Sequence, residues 1–212
     1  MSSYTLRVLS SLMNGTEKQI AAVLAERQAE IPYGFLSYGG AYRALRRHSR
    51  EPDRACEALR IWRDDLDISP HVQAFRRNAY SNLVWCAECI LPRIVRNIES
   101  LEGDRGRRGK PLELSGELYT GGFHALVEWE DGTERLLYLL GPQWTRKRIK
   151  NMLTLLQMKA QRVYGRSAQS VVIVDIKRRE VHELQVLSRQ DQNLALTTAE
   201  WLRRYLRGSQ AA

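Results

Sequence analysis

The chain has 212 residues, 43% of them hydrophobic, which suits a buried core and excludes a compositionally disordered polymer. Thirty-three basic against 24 acidic residues give a net charge of +9, and three sparse cysteines exclude a disulfide framework. No stretch approaches the roughly 20 apolar residues of a membrane span, and the start lacks the charged and apolar runs of a secretory leader, so the expected setting is a reducing, prokaryotic cytoplasm.

Thr16 to Gln19 form a capping box that opens a predicted helix to about Glu30. IPYGFLSYGG (31–40) breaks the pattern with Pro and Gly, and a short basic helix is expected around Ala41 to His48. Asp53 caps a helix whose apolar stripe is Ala55, Leu59 and Trp62. Ser69-Pro70 opens a long helix running towards Ile98, kinked or divided at Pro92. LEGDRGRRGK (101–110) has no periodicity and reads as a basic connector.

Beyond it the period changes. LELSGELYT, FHALVEW and TERLLYLL read as three successive strands, joined through Gly121-Gly122 and Asp131-Gly132. A helix follows from about Trp144 to Tyr164, with Ile149, Met152, Leu156, Ala160 and Val163 on one face and Gly165 as its left-handed cap. QSVVIVDIK and EVHELQV then form a hairpin across Arg178-Arg179, and a last helix starts near Thr198. The predicted class is α+β: a helical region (1–100), a connector (101–111) and a βββαββ core with a C-terminal helix (112–212), the core able to form one unit with helix 70–100.

This order, and the phrases GGFHALVEWEDGTERLLYLLG, LLQMKAQRVYG and SVVIVDIKRREVHELQV, resemble the core of the PD-(D/E)xK nucleases, most closely the RecB-like branch, over about residues 71–187. The resemblance implies a restriction-endonuclease-like sheet. It also implies a metal-binding acid after a Gly near the start of the second strand, and an acid followed two residues on by Lys in the third. This sequence departs at both places, with His124 where the first acid belongs and Leu136 to Leu140 interrupted only by Tyr138 in the third strand. Gln161 and Tyr164 stand three apart rather than four. The resemblance therefore implies a degenerate fold with no catalytic residue and no metal. The alternative, an active metal-dependent nuclease, would use Asp175 and Lys177 with Glu117, Glu128 or Glu130, and only then Mg²⁺ or Mn²⁺ as cofactor.

The charge pattern points to DNA or RNA as partner. Six of the cations are lysines and the rest arginines, whose planar guanidinium grips phosphate with two donors. Three clusters stand out: Arg43, Arg46, Arg47 and Arg50; Arg105, Arg107, Arg108 and Lys110; and Arg146, Lys147, Arg148, Lys150, Lys159, Arg162 and Arg166 along the crossing helix. That helix should turn its apolar stripe to the sheet and its cations outward. Trp144, Tyr33, Phe35 and Tyr38 are candidates to stack on bases, with core packing or loop anchoring the commoner fate of such rings. Cys86 and Cys89, with Cys56 and His71, make a conceivable four-ligand site, but their place in a predicted helix favours buried structural thiols. The expected function is non-enzymatic nucleic-acid binding, within a defence, repair or recombination complex if the resemblance holds. A protein-interaction subunit or inhibitor is the further alternative.

Overall fold

The computed structural model describes residues 4–13, 15–16, 34–48, 51–65, 69–99, 110–121, 123–140, 144–166 and 169–209, the side chains of 34–39, 46, 99, 140 and 206–209 apart. The capping-box helix expected over 16–30 and the connector 101–109 lie outside the described residues, except for Thr16. The class is α+β: a mixed five-stranded sheet, a small second sheet, and helices on both faces of the large one.

The N-terminal part comprises β1 (Tyr4–Thr5), α1 (Leu6–Leu12), α2 (Gly34–Arg47), α3 (Pro52–Asp64) and α4 (Pro70–Trp85). Nothing in the sequence reading assigns α1, although Leu6, Leu9 and Leu12 recur every three residues and are fully buried. The expected break at 31–40 is corrected, because α2 already begins at Gly34. Gly40 there serves a close approach: a Cβ would lie 2.8 Å from the Trp62 indole of α3. α3 buries the predicted stripe of Ala55, Leu59 and Trp62. Ser69 caps α4 by accepting from the Val72 amide, with Pro70 at the first helical position.

The long helix towards Ile98 is the second correction. α4 passes into a π-turn (Cys86–Ile90) and a 3-10 turn (Leu91–Arg93), and Ile94–Glu99 is a strand, β2. Pro92 stops the helix, and the β-branched Ile94, Val95 and Ile98 that follow suit extended backbone. LELSGELYT is likewise two strands, β3 (Leu112–Leu114) and β4 (Glu117–Thr120), turned at Ser115-Gly116, both at positive φ. They join β1 in the small sheet, ordered β1-β4-β3.

The large sheet adds β5 (Ala125–Trp129), β6 (Glu134–Leu140), β7 (Ser170–Asp175) and β8 (Glu180–Leu184), in the order β2-β5-β6-β7-β8. Neighbours are antiparallel except β6 and β7, which are parallel and joined by the crossing helix α5 (Arg146–Tyr164). Residues on both sides of the connector therefore build one sheet. β7, central and buried along its whole length, is the continuous apolar run expected of a doubly covered strand. α6 (Arg189–Ser209) starts nine residues before the expected Thr198, because Ser188 caps it by accepting from the Asp191 amide.

Alternation along the strands divides the core. Val127, Leu137, Leu139, Val172 and Val174 face α2, α3 and α4, while Leu126, Leu136, Tyr138, Val171 and Ile173 face α5. α5 itself is covered a second time by α1, α6 and β3, so every residue from Asn151 to Ala160 is buried. Most of its buried polar groups are satisfied from inside, Gln157 Oε1 being an exception among the described residues. Asn151 Nδ2 donates to the carbonyls of Ser10 (2.9 Å) and Met13 (3.1 Å), and Gln157 Nε2 to those of Gln169 (3.1 Å) and Gln185 (3.3 Å). Replacing Asn151 with Ala strips two buried carbonyls of their donor. Urea unfolding should show a loss of about 2–4 kcal/mol, whereas a loss below about 0.5 kcal/mol would mean that α1 is not anchored this way.

Candidate nucleic-acid interface

The strand register fixes which residues share an end of the large sheet. β6 and β7 both finish at one end, where Leu140 pairs with Asp175, and β8 starts there with Glu180 opposite Asp175. β5 begins at that end too, with the His124 amide donating to the Leu137 carbonyl. The crossing helix starts beside it, since Arg146 Nη2 lies 2.9 Å from Glu180 Oε1. The carboxyl ends of parallel strands and the amino end of the crossover helix thus come together.

The charge gathered there is strongly positive. Arg146, Lys147 and Arg148 open α5, and Lys177, Arg178 and Arg179 form the β7–β8 turn. Against these six cations stand Asp175 and Glu180. Asp175, buried, is taken by Arg178, whose Nη1 lies 2.5 Å and whose amide 3.2 Å from its carboxylate. Arg179 Nε donates 2.9 Å to Asn82 Oδ1 of α4, tying the turn to the helices on the other face. Lys147 and Lys177 are exposed and meet no acid among the described residues. α2 reaches the same end, because the Tyr42 ring lies 6.2 Å from that of His124, and Arg43 and Arg47 stand exposed one turn apart on it.

The opposite end is neutralised. There Arg93 pairs with Glu130 (2.6 Å), Arg96 with Glu128 (2.8 Å), Arg135 with Asp131 and with Glu183 (3.2 Å), and Arg166 with Glu134 (4.0 Å). Every arginine around the β5–β6 turn is thus ion-paired, whereas around the start of α5 Arg146 and Arg178 meet acids and Arg148 and Arg179 meet none among the described residues.

The predicted basic clusters fare unequally. Arg46 (side chain), Arg50, Arg105, Arg107 and Arg108 lie outside the described residues, and Lys110 is exposed ahead of β3. On α5 the expectation of an outward cationic face is corrected. Lys159 is fully buried and donates to the Gly121 carbonyl, out of reach of a phosphate chain. Lys150 pairs with Asp191 (3.2 Å), and Arg162 is exposed but about 24 Å along the helix from Arg146. Arg148 is half-buried, its guanidinium 4.1 Å from the centre of the Trp144 ring. Burial first, and the charge of Arg7 second, push its pKa down to about 10. Trp144, 2% exposed, is a floor for this arginine rather than a base-stacking platform. Tyr33 and the side chains of Phe35 and Tyr38 fall outside the described residues.

The turn Lys177-Arg178-Arg179 was not among the expected phosphate contacts. The signal was present, because a parallel β–α–β crossover brings the end of its second strand beside the start of its helix, and both stretches are basic.

The alternative catalytic set does not come together. Glu128 pairs with Glu134 and Asp175 with Leu140, six residues apart on β6, so the two acids stand about 20 Å apart along the sheet. Glu130 is in the β5–β6 turn, and Glu117 belongs to the small sheet. Lys177 is exposed beyond the strand. At the start of β5, His124 Nδ1 accepts from the Leu139 amide (2.8 Å), which makes it the unprotonated nitrogen, and its ring stacks 4.8 Å from Tyr138. Among the described residues no three His, Cys, Asp or Glu side chains are grouped to share an ion. Of the thiols, Cys86 is buried and pushed up to about 12 by that burial, Cys56 is half-buried, and Cys89 is exposed, against the expectation that the pair is buried. His71 lies near the far end of α4, about 22 Å from Cys86.

No family model matches the sequence, and no curated protein matches it. No helix among the described residues is long and apolar enough to cross a membrane.

His124→Phe keeps a ring against Tyr138 but removes the acceptor for the Leu139 amide. Stability should fall by about 1–2 kcal/mol in a urea titration, and an unchanged midpoint would show that the imidazole nitrogen does not hold β6.

Proposed function

We propose that this chain is a non-catalytic nucleic-acid-binding protein built on a degenerate nuclease-like fold, and that phosphates sit at the basic end of the large sheet. The observation that carries the reading is the meeting of Lys147, Lys177 and Arg179, beside the Arg146–Glu180 pair, where the parallel strands end, while the arginines of the other end are ion-paired. Cations left without acids create a positive potential that raises the encounter rate with a polyanion, and they release counterions when it binds.

The nuclease likeness is supported by the order of elements. An antiparallel triplet (β2, β5, β6), a crossing helix and a strand parallel to the third follow the order expected from the resemblance, with β2 rather than the β3–β4 hairpin as first strand. In that alignment the metal-binding positions hold His124, its Nδ1 engaged by a backbone amide, and buried leucines of β6. Mg²⁺ and Mn²⁺ take hard oxygen ligands, so this set does not fit them. The chemistry left to the site is recognition of phosphate. A place in a defence, repair or recombination complex remains part of this proposal through the resemblance alone.

A second reading, a protein-interaction subunit, is favoured by one observation. β2 forms an edge of the sheet and carries the exposed Val95 and Ile98. Partners that survive nuclease treatment in a pulldown, and are lost with Val95→Lys, would support it.

Filter binding of labelled DNA and RNA oligonucleotides tests the first reading. With about four or five phosphate contacts, affinity should fall roughly 10²-fold between 50 and 200 mM salt. Lys147→Glu combined with Lys177→Glu should flatten the salt slope by about 2, while Arg96→Ala, at the ion-paired end, should leave affinity within about twofold. Salt-independent affinity, or none, contradicts the proposal. So does cleavage with Mn²⁺ that Asp175→Ala abolishes.

A further inference from the structure

The cations at the basic end do not lie in one row. The large sheet separates them into layers, because α5 packs on one of its faces and α2 on the other. Lys147 stands on the α5 side, and Arg43 and Arg47 on the α2 side; all three are exposed and meet no acid among the described residues. Between them the sheet ends in the β7–β8 turn, which presents Lys177 to solvent. Layers of secondary structure pack about 10 Å apart, which sets the two outer rows about 20 Å from each other with the turn midway.

This spacing is built in. Three rings cross the sheet end from one layer to the other. Tyr42 of α2 lies 6.2 Å from His124 at the start of β5, and His124 stacks 4.8 Å from Tyr138, which packs on the α5 side. Arg179 ties the turn to Asn82 of α4 at 2.9 Å, and the Arg146–Glu180 pair ties it to α5 at 2.9 Å. The backbones that carry the cations are therefore fixed before a partner arrives.

The number of phosphate lines in the partner decides what such rows fit. A single strand has one line, which follows one row at a time. A duplex has two, on either side of grooves about 6 and 12 Å wide. Lys and Arg carry long flexible stems, so cations of both rows lean inwards to the two backbones. Rings that could stack on the bases of a single strand are engaged at this end, Trp144 under Arg148, and His124 and Tyr138 on each other.

We infer that the partner is a double-stranded nucleic acid held on both backbones, one by the α5 layer and one by the α2 layer, with Lys177 over the groove between. The inference rests on the proposed function and names its substrate class. DNA and RNA duplexes share the two phosphate lines.

The test is filter binding of the full chain to a short duplex, to each of its strands alone, and to a hybrid in which one strand is an uncharged peptide nucleic acid. DNA and RNA versions are run side by side. The duplex should bind at least about tenfold tighter than either strand or the hybrid at one salt concentration. Arg43→Glu combined with Arg47→Glu should flatten the duplex salt slope by about 2, and Arg43→Gln with Arg47→Gln should flatten it as well. Both side chains are exposed, so these variants should melt with the parent by circular dichroism. Suppose that single strands or the hybrid bind as tightly as the duplex, or that both α2 variants keep the parent's slope while Lys147→Glu with Lys177→Glu flattens it. The inference then falls while the proposed function stands. If neither duplex nor single strand binds, the proposed function falls and takes the inference with it. Tighter binding of the DNA or of the RNA duplex names the nucleic acid and supports the two-backbone grip.

Discussion

The burial of α5 on all sides is the constraint on which the rest depends. A crossing helix normally covers one face of a sheet and shows its other face to water. Here α1, α6 and the small sheet close over that second face, and Asn151, Thr154, Gln157 and Lys159 go into the interior with it. Thr154 turns back to the Lys150 carbonyl, while the bonds of Asn151, Gln157 and Lys159 to the carbonyls of Ser10, Met13, Gln169, Gln185 and Gly121 hold the flanking segments to the helix. A helix fixed this way cannot roll, so its first turn emerges at one place, beside the end of β7.

That placement gives the molecule its electrical polarity. Around the β5–β6 turn each arginine finds a carboxylate, and exposed pairs of this kind contribute little to stability while cancelling the local field. Around the start of α5 the carboxylates are few and already engaged, Asp175 by Arg178 and Glu180 by Arg146. Repulsion among the remaining cations is tolerated because the sheet and the crossing helix beneath them are deeply packed. Stability is supplied by the core, so under the proposed function the surface charge can serve binding.

Much of the fold was legible in the sequence, and the failures have physical causes. β5, β6, α5 and the β7–β8 hairpin follow from period and turn chemistry, as in Asp131-Gly132 and the Gly165 cap. β2 was hidden because four turns of good helix run straight into it, and only Pro92 and the β-branched residues beyond mark the change. The hairpin at Ser115-Gly116 was hidden because its strands are only three and four residues long, so the stretch reads as one strand despite the Ser-Gly pair. The site was legible as composition and not as geometry. Arg146 and Lys147 stood out as a run, whereas burial of Lys159 and the ion pairs of Arg135 and Arg166 depend on contacts between distant segments. His124 was visible as a departure from the nuclease pattern, but the Leu139 amide that explains its ring could be found only in three dimensions.

Under the proposed function a polyanion lies across the opening of α5 and the β7–β8 turn. Lysine acylation read by mass spectrometry, with and without a saturating oligonucleotide, tests it most directly. Lys147 and Lys177 should label readily in the free protein and be shielded in the complex, while Lys159 stays unreactive in both because it is enclosed. Equal labelling of Lys147 and Lys177 in the two states would contradict the account, as would ready labelling of Lys159 in the folded chain.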